Sequence, residues 1–200
     1  MSEHPAPPAA PEPPTARERI LRAAAEEFSE HGFSGARINR IAANANANKQ
    51  LIYHYFDSKE GVYAAVLDEM LTSLHHSTAG ATAVRDMLRH QIGSAETRRA
   101  WSRMVAWEGL ADERPVVSAE QRQASIDSQV QTIIRLQREG RFAPGLDPRF
   151  ALATIYAIGI APYVIPQLVD FCIGPDAATS EDTMSAWVDQ VERMFTRRTS

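Results

Sequence analysis

The fold of this 200-residue chain is decided by residues 37–59, which read RINRIAANANANKQLIYHYFDSK. Ile38 and Ile41 recur at helical spacing, which predicts a short amphipathic helix. The pattern stops near Asn46. We expect Asn46 to form the turn, because asparagine tolerates the left-handed conformation that a tight turn requires. This stretch therefore predicts a short helix that ends in a tight turn.

A second short helix is predicted to begin after Asn48, whose side-chain oxygen can accept a hydrogen bond from a free backbone N–H. Ile52 and Phe56 lie four residues apart on one face of that helix, and polar residues occupy most of the rest. Two short helices joined by a tight turn form a helix-turn-helix, whose second helix can enter the major groove of DNA.

The charge of this stretch favours nucleic acid as the partner. The only two lysines of the chain, Lys49 and Lys59, lie here, and no acid occurs before Asp57. A duplex attracts such a surface through the release of its counterions. The net charge of the whole chain is −4. It therefore does not indicate a general binder of polyanions, and the attraction is confined to this region.

Residues 41–60, IAANANANKQLIYHYFDSKE, resemble the DNA-binding signature of the TetR family of bacterial repressors. The resemblance begins with ILRAA at 20–24 and covers about residues 17–67. Three positions depart from the family pattern. Asn46 replaces a usual glycine in the turn, Asn48 replaces a usual serine or threonine cap, and Ala36 stands where a threonine often caps the preceding helix.

The resemblance and the residue chemistry together give a set of expected DNA contacts. Lys49 can reach guanine N7 and O6, and Gln50 can pair with adenine. Leu51 occupies a position that is often polar in the family and could contact a thymine methyl group. The matching family positions imply phosphate contacts for the tyrosines of the second helix and for a lysine after it. The full set is Arg37, Asn48, Lys49, Gln50, Leu51, Tyr53, His54, Tyr55 and Lys59.

The rest of the chain reads as helical, and the sequence predicts an all-α protein of about nine helices. Residues 1–14 hold six of the twelve prolines and are expected to be a disordered tail. Residues 15–60 form the predicted DNA-binding domain, and residues 61–200 form the predicted ligand-binding and dimerisation domain. Helix-capping residues are expected at Thr15, Asp57 or Ser58, Ser118, Asp147 and Ser180.

Residues 150–169 carry no charge, and the stretch is long enough to span a bilayer. Pro162 interrupts it and is expected to kink or break the helix. A helix that is apolar on all sides is otherwise deeply buried. The resemblance implies that the last two helices form a four-helix bundle with a second subunit. We therefore expect a homodimer without membrane insertion, with Trp187, Val191 and Phe195 buried between subunits.

The resemblance also implies a pocket for a small effector among the middle helices. Its expected residues are mainly aromatic side chains and methionine, with an acid among them. They are Trp101, Met104, Trp107, Glu108, Tyr156 and Tyr163. Glu108 has an alternative role, as a carboxylate paired with an arginine such as Arg103 or Arg135. The tyrosines have the same alternative, since a buried hydroxyl needs some partner.

Other classes of site find little support in the sequence. His75, His76 and His90 lack nearby carboxylates or cysteines at ligand spacing, so we expect neither a metal site nor a cofactor. One cysteine, Cys172, excludes an internal disulfide and fits a reducing cytoplasm. No nucleophile–base signature or glycine-rich phosphate loop occurs.

Taken with the resemblance, the sequence predicts a cytoplasmic, ligand-responsive repressor that binds a palindromic operator as a dimer. The alternatives are a regulator without a ligand, an activator, or a helical enzyme with an incidental helix-turn-helix.

Overall fold

The computed structural model describes residues 13–79, 83–92, 96–111 and 117–196. These residues contain ten helices and no strand, which confirms the predicted all-α class. Most of the tail predicted to be disordered, residues 1–14, lies outside the described part. The helices are α1 Ala16–Gly35, α2 Ile38–Asn44, α3 Lys49–Phe56, α4 Lys59–Ala79, α5 Val84–Ile92, α6 Glu96–Ala111, α7 Ala119–Arg138, α8 Pro148–Val164, α9 Pro166–Ile173 and α10 Glu181–Phe195.

Most helix starts follow the capping chemistry of the sequence. Thr15 and Glu18 form a reciprocal capping box at α1, with N···O distances of 2.7 and 3.2 Å. Asp147 accepts hydrogen bonds from the first backbone N–H groups of α8, and Ser180 does the same at α10. At α4 the cap is Ser58, whose Oγ accepts from the backbone N–H of Gly61 at 3.0 Å.

Two helix starts differ from the prediction. Ser118 precedes α7 in a left-handed conformation, and its side chain makes no capping hydrogen bond. The residue that precedes α2 is Arg37, not Ala36. The backbone N–H of Arg37 donates to Glu27 Oε1 at 2.7 Å. A side chain from α1 therefore binds the backbone at the start of α2.

The uncharged run 150–169 breaks at Ile165 and not at Pro162, where the sequence placed the break. Pro162 cannot donate to the carbonyl of Ile158, but α8 continues past it to Val164. Pro166 disfavours the helical conformation at Ile165, whose φ and ψ are −130° and 51°, and it then begins α9. This break gives ten helices where about nine were expected. Within the described residues no single helix is long and apolar enough to cross a bilayer, and the pair α8 and α9 is bent by 97°.

The buried side chains form two main cores. The first core joins α1, α2, α3 and the first part of α4, and it also contains Trp101 and Met104 of α6. The second core joins α5, α7, α8 and α10. Because α4 and α6 contribute to the first core, the DNA-binding helices share their interior with residues well beyond position 60.

Val191 and Phe195 lie in the second core of their own protomer and are almost completely buried there. The expectation that they lie between subunits was therefore wrong. Their spacing on an amphipathic helix cannot distinguish an intramolecular core from a subunit interface. Trp187 is half-buried and packs against this core and against a small cluster around α9.

Candidate nucleic-acid interface

The turn between α2 and α3 has the geometry of a helix-turn-helix. Asn46 adopts the left-handed conformation, with φ 49°, as the sequence predicted. The backbone N–H of Ala47 donates to the carbonyl of Ala42 at 2.9 Å, which closes the turn. Ile41 and Ile52 are fully buried and hold the two helices against α1 and α4. The turn and these apolar anchors fix the direction in which α3 projects.

Asn48 caps α3, as the sequence predicted. Its Oδ1 accepts a hydrogen bond from the backbone N–H of Leu51 at 2.7 Å. The residue itself is exposed. Because the oxygen is engaged, the amide NH₂ is the part of Asn48 that remains for a DNA acceptor.

The outer face of α3 is polar, aromatic and free of acids. Lys49, Gln50, Tyr53, His54 and Tyr55 are all exposed. The ammonium of Lys49 lies 5.6 Å from the ring centroid of Tyr53, a distance at which a cation is attracted to the ring face. This face therefore offers donors, acceptors and flat rings to a groove, with one cation and no repelling carboxylate.

The remaining three predicted contacts have different surroundings. Leu51 is half-buried and packs against the first core, so it is the least available of the set. Arg37 is exposed at the start of α2. Lys59, in the first turn of α4, is half-buried and places its ammonium 4.7 Å from the ring centroid of Phe33.

Gly61 determines how closely α4 approaches the end of α3. A Cβ at this position would lie 1.9 Å from the backbone oxygen of Phe56, which is far inside van der Waals contact. Any larger residue would push the two helices apart. The absence of a side chain at Gly61 therefore helps to set the angle at which α3 is presented.

Two residues of α1 hold the helix-turn-helix in place. Arg19 Nε donates to the carbonyl of Ala45 in the turn at 3.2 Å. The carboxylate of Glu27 is buried and accepts hydrogen bonds from the guanidinium of Arg40 and from the backbone N–H of Arg37. Burial alone would raise the pKa of Glu27, but these hydrogen bonds outweigh it, so the pKa lies below its ordinary value.

The six residues predicted to line an effector pocket fall into separate surroundings. Trp101 and Met104 are buried in the first core, against the DNA-binding helices. Trp107 is 39% exposed, and its indole N–H donates to the carbonyl of Ser29 at 3.2 Å. Tyr156 and Tyr163 lie on α8, a helix that also packs against α6.

Glu108 links three helices. Its carboxylate accepts two hydrogen bonds from Arg122 of α7, at 2.7 and 2.8 Å, and one from the hydroxyl of Tyr63 of α4, at 2.8 Å. The guanidinium of Arg122 lies 5.2 Å from the ring centroid of Trp101. The arginine partner that the sequence left open is therefore Arg122, and not Arg103 or Arg135. Glu108 is already satisfied as an acceptor, which favours its role as a structural anchor.

A cleft of about 290 Å³ lies beside this anchor, between the end of α1 and the end of α6. Of the six predicted pocket residues, only Trp107 and Glu108 line it. The left-handed conformation of Gly32, with φ 64°, lets the backbone pass close to the indole of Trp107. The cleft therefore lies between the DNA-binding helices and α6.

Comparison with known proteins agrees with this architecture. A family described as bacterial regulatory proteins, tetR family, matches residues 20–66, and a family described as tetracyclin repressor-like, C-terminal domain, matches residues 81–193. The chain belongs to the TetR family. Its members are transcriptional regulators and not enzymes.

Individual relatives extend over most of the chain. The HTH-type transcriptional repressor SCO4008 of Streptomyces coelicolor is 30% identical over 174 residues, which are 86% of this chain and 91% of that protein. The HTH-type transcriptional regulator RutR of Escherichia coli K12 is 30% identical over 151 residues, 70% of each chain. The crystal structure of SCO4942 from Streptomyces coelicolor matches with a TM-score of 0.69 and 30% identity, over 92% of this chain and 99% of that chain.

The sequence patterns did not identify Glu27 and Arg19 as the residues that position the helix-turn-helix of this TetR-family regulator. A signal for Glu27 was present: it lies seven residues after Ile20 and three after Ala24, on the buried stripe of α1. An acid at such a position needs a partner inside the protein. No comparable signal exists for Arg19, since its acceptor is a backbone carbonyl 26 positions away.

No group of His, Cys, Asp and Glu side chains that could hold a metal ion occurs in the described part of this TetR-family chain. The side chains of His75 and His76 lie outside that part. The ring of His90 is half-buried, and burial together with the charge of Arg98 lowers its pKa to about 4.

Proposed function

We propose that this regulator is a repressor that binds a palindromic operator as a homodimer in the cytoplasm and is released by a small-molecule effector. The observation that carries the DNA-binding part is the acid-free, exposed outer face of α3. The Asn48 cap fixes the start of α3, and the close contact of α4 at Gly61 with Phe56 fixes its end. A rigid helix with such a surface fits the major groove.

Dimerisation is supported by apolar side chains that the protomer leaves exposed. On α8, Phe150, Ala153, Ala157 and Val164 lie on one exposed stripe, and Phe150 is 77% exposed. On α10, Met194 is 71% exposed. Small residues between large ones allow helices to pack closely against a second copy. Unlike Val191 and Phe195, these side chains are available for a subunit interface.

The decisive experiment is selection of bound duplexes from random DNA by the full-length protein. We expect an enriched site with two inverted half-sites, because a two-fold symmetric dimer presents two α3 helices. Titration of the enriched duplex by fluorescence anisotropy then gives the affinity. Enrichment of a single, asymmetric site would contradict the dimeric operator, and no enrichment would contradict the repressor function.

Gln50→Ala is expected to relax the preference at one base pair of each half-site by roughly 1–3 kcal/mol, since the exposed amide can pair with adenine. The measurement is anisotropy on duplexes that carry each of the four base pairs at every position. Gln131→Ala removes an exposed amide from α7 and serves as the control. If all base preferences stay as in the parent protein, Gln50 makes no base contact.

Lys59→Ala is expected to weaken binding to all duplexes alike, with the slope of log K against log salt reduced by about 1, because one phosphate contact is lost. Arg138→Ala removes one positive charge from the exposed surface of α7 and should leave the slope unchanged. A loss confined to the selected site would show that Lys59 reads sequence instead. An unchanged slope would show that Lys59 makes no phosphate contact and that its ammonium interacts only with the ring of Phe33.

A further inference from the structure

Arg98 of α6 is a buried cation for which the described residues provide no counter-charge. Only 3% of the surface of this residue is exposed to solvent. Its guanidinium makes one hydrogen bond within the described residues, from Nη1 to Gln91 Oε1 at 2.7 Å, and its Nε has no acceptor. No carboxylate of the described residues forms an ion pair with it. Charged groups in protein interiors are almost always paired, because burial of an isolated charge is costly.

Among the described side chains, the surroundings of Arg98 supply neutral polar groups but no anion. Burial lowers the pKa of Arg98 to about 10, and the nearby phenols of Tyr156 and Tyr163 act in the opposite direction. The guanidinium therefore remains charged at neutral pH. His90, whose pKa is about 4, is uncharged there and adds no second cation.

The packing of α5 against α8 brings these groups together. Gly159 lies three residues after Tyr156 and four before Tyr163, so all three share one face of α8. A Cβ on Gly159 would lie 2.8 Å from the Cβ of Gln91. Gly159 thus lets α5 approach closely and places Gln91, with its hydrogen bond to Arg98, beside the two tyrosines.

Two further buried polar atoms, one on α6 and one on α7, have no hydrogen-bond partner among the described residues. Ser102 follows Arg98 by one turn on α6, is completely buried, and its Oγ makes no hydrogen bond. Gln129 of α7 donates from Nε2 to the hydroxyl of Tyr156 at 2.9 Å, but its Oε1 accepts nothing. Such atoms are rare in folded proteins and call for a partner, which a bound polar molecule can provide.

We propose that Arg98 is the anchor of the effector site and that the effector is a small organic acid whose carboxylate binds the Arg98 guanidinium and the Ser102 hydroxyl. This inference rests on the proposed function, since it names the ligand class of the same regulator. A carboxylate accepts two hydrogen bonds in the plane of a guanidinium and neutralises its charge. Of the residues expected from the sequence, Tyr156 and Tyr163 belong to this site, whereas Trp101 and Met104 do not.

The test is binding of hexanoate and benzoate to the full-length protein, compared with hexanamide and benzamide at equal sodium concentration. Thermal unfolding is followed by circular dichroism, and affinity is measured by calorimetry. At about a hundred times the dissociation constant, an acid is expected to raise the melting temperature by roughly 5–10 °C. The amides have the same shape without the charge and are expected to have no such effect.

Arg98→Met is expected to weaken binding of the acids by about 10- to 100-fold, the usual contribution of a charge-assisted hydrogen bond. Arg99→Met removes the neighbouring, exposed charge and should change nothing. If the Arg98→Met protein does not fold, Arg98→Lys replaces it, because lysine keeps the charge but loses the planar fork. It should bind the acids more weakly than the parent protein.

Three results would each overturn the proposal: no stabilisation by either acid, equal stabilisation by acids and amides, or undiminished affinity in the Arg98 variants. The measurement contains no DNA. A protein that binds the acids through Arg98 but selects no duplex would contradict the repressor function and leave this site standing. A protein that selects an operator but does not bind the acids would contradict this site and leave the repressor function standing.

Discussion

Ala157→Glu is expected to convert the proposed dimer into monomers and to weaken operator binding by roughly 10²- to 10⁴-fold, because the two half-sites would no longer be bound as one unit. Ala157 lies in the middle of the exposed stripe of α8 and makes no contribution to the protomer's buried core. A carboxylate at that point would be buried without a partner in any interface formed by the stripe. The protomer itself should remain folded.

Sedimentation velocity and fluorescence anisotropy on the selected operator measure the two effects. Ala124→Glu places the same charge at an exposed alanine of α7 and should preserve both the dimer and the affinity. If the Ala157→Glu protein still sediments as a dimer, the stripe of α8 is not at the subunit interface. A monomer that retains full affinity would contradict the need for two α3 helices.

Glu27→Ala is expected to lower the free energy of unfolding by about 2–4 kcal/mol. The substitution removes the acceptor of the Arg37 backbone N–H and leaves the guanidinium of Arg40 without its ion pair. The lower end of this range allows for the exposure of Arg40, which is 40% accessible and can be rehydrated. Operator affinity should fall as well, because the start of α2 is no longer held by α1.

Urea unfolding at pH 7 checks this value, and Glu26→Ala, which removes the adjacent exposed carboxylate, is the control. The pKa of Glu27 is below its ordinary value of 4.5 in the folded protein. Its contribution is therefore complete above the pKa of the unfolded chain and is lost as the pH falls through the pKa of the folded protein. The difference between parent and variant should shrink below about pH 4.5. A difference that is constant with pH would contradict the ion pair.

The sequence predicted those parts of the fold that depend on local chemistry. Asn46, Asn48 and Thr15 act within a few residues of their own positions, so turn and capping preferences were sufficient. The break at Ile165 is also local, but two prolines competed for it. The steric effect of Pro166 on its preceding residue ends α8, whereas Pro162 removes one N–H donor without ending the helix.

The parts that the sequence could not predict depend on contacts between distant helices. Amphipathic spacing identified Val191 as buried, but it could not show that the burying surface belongs to the same protomer. The same limit applies to Trp101 and Met104, whose apolar character is equally suited to a core and to a pocket. Arg98 gave no signal, because a lone arginine on a helix is normally solvated, and only tertiary packing shows that it is buried.

The contribution of α6 to the first core has a consequence for how such regulators can exchange parts during evolution. A recombination event at position 60 would separate α1, α2 and α3 from Met104, whose side chain completes their interior. A new partner domain would have to supply a complementary helix at the same place. Exchange of DNA specificity is thus expected mainly by substitutions on the outer face of α3.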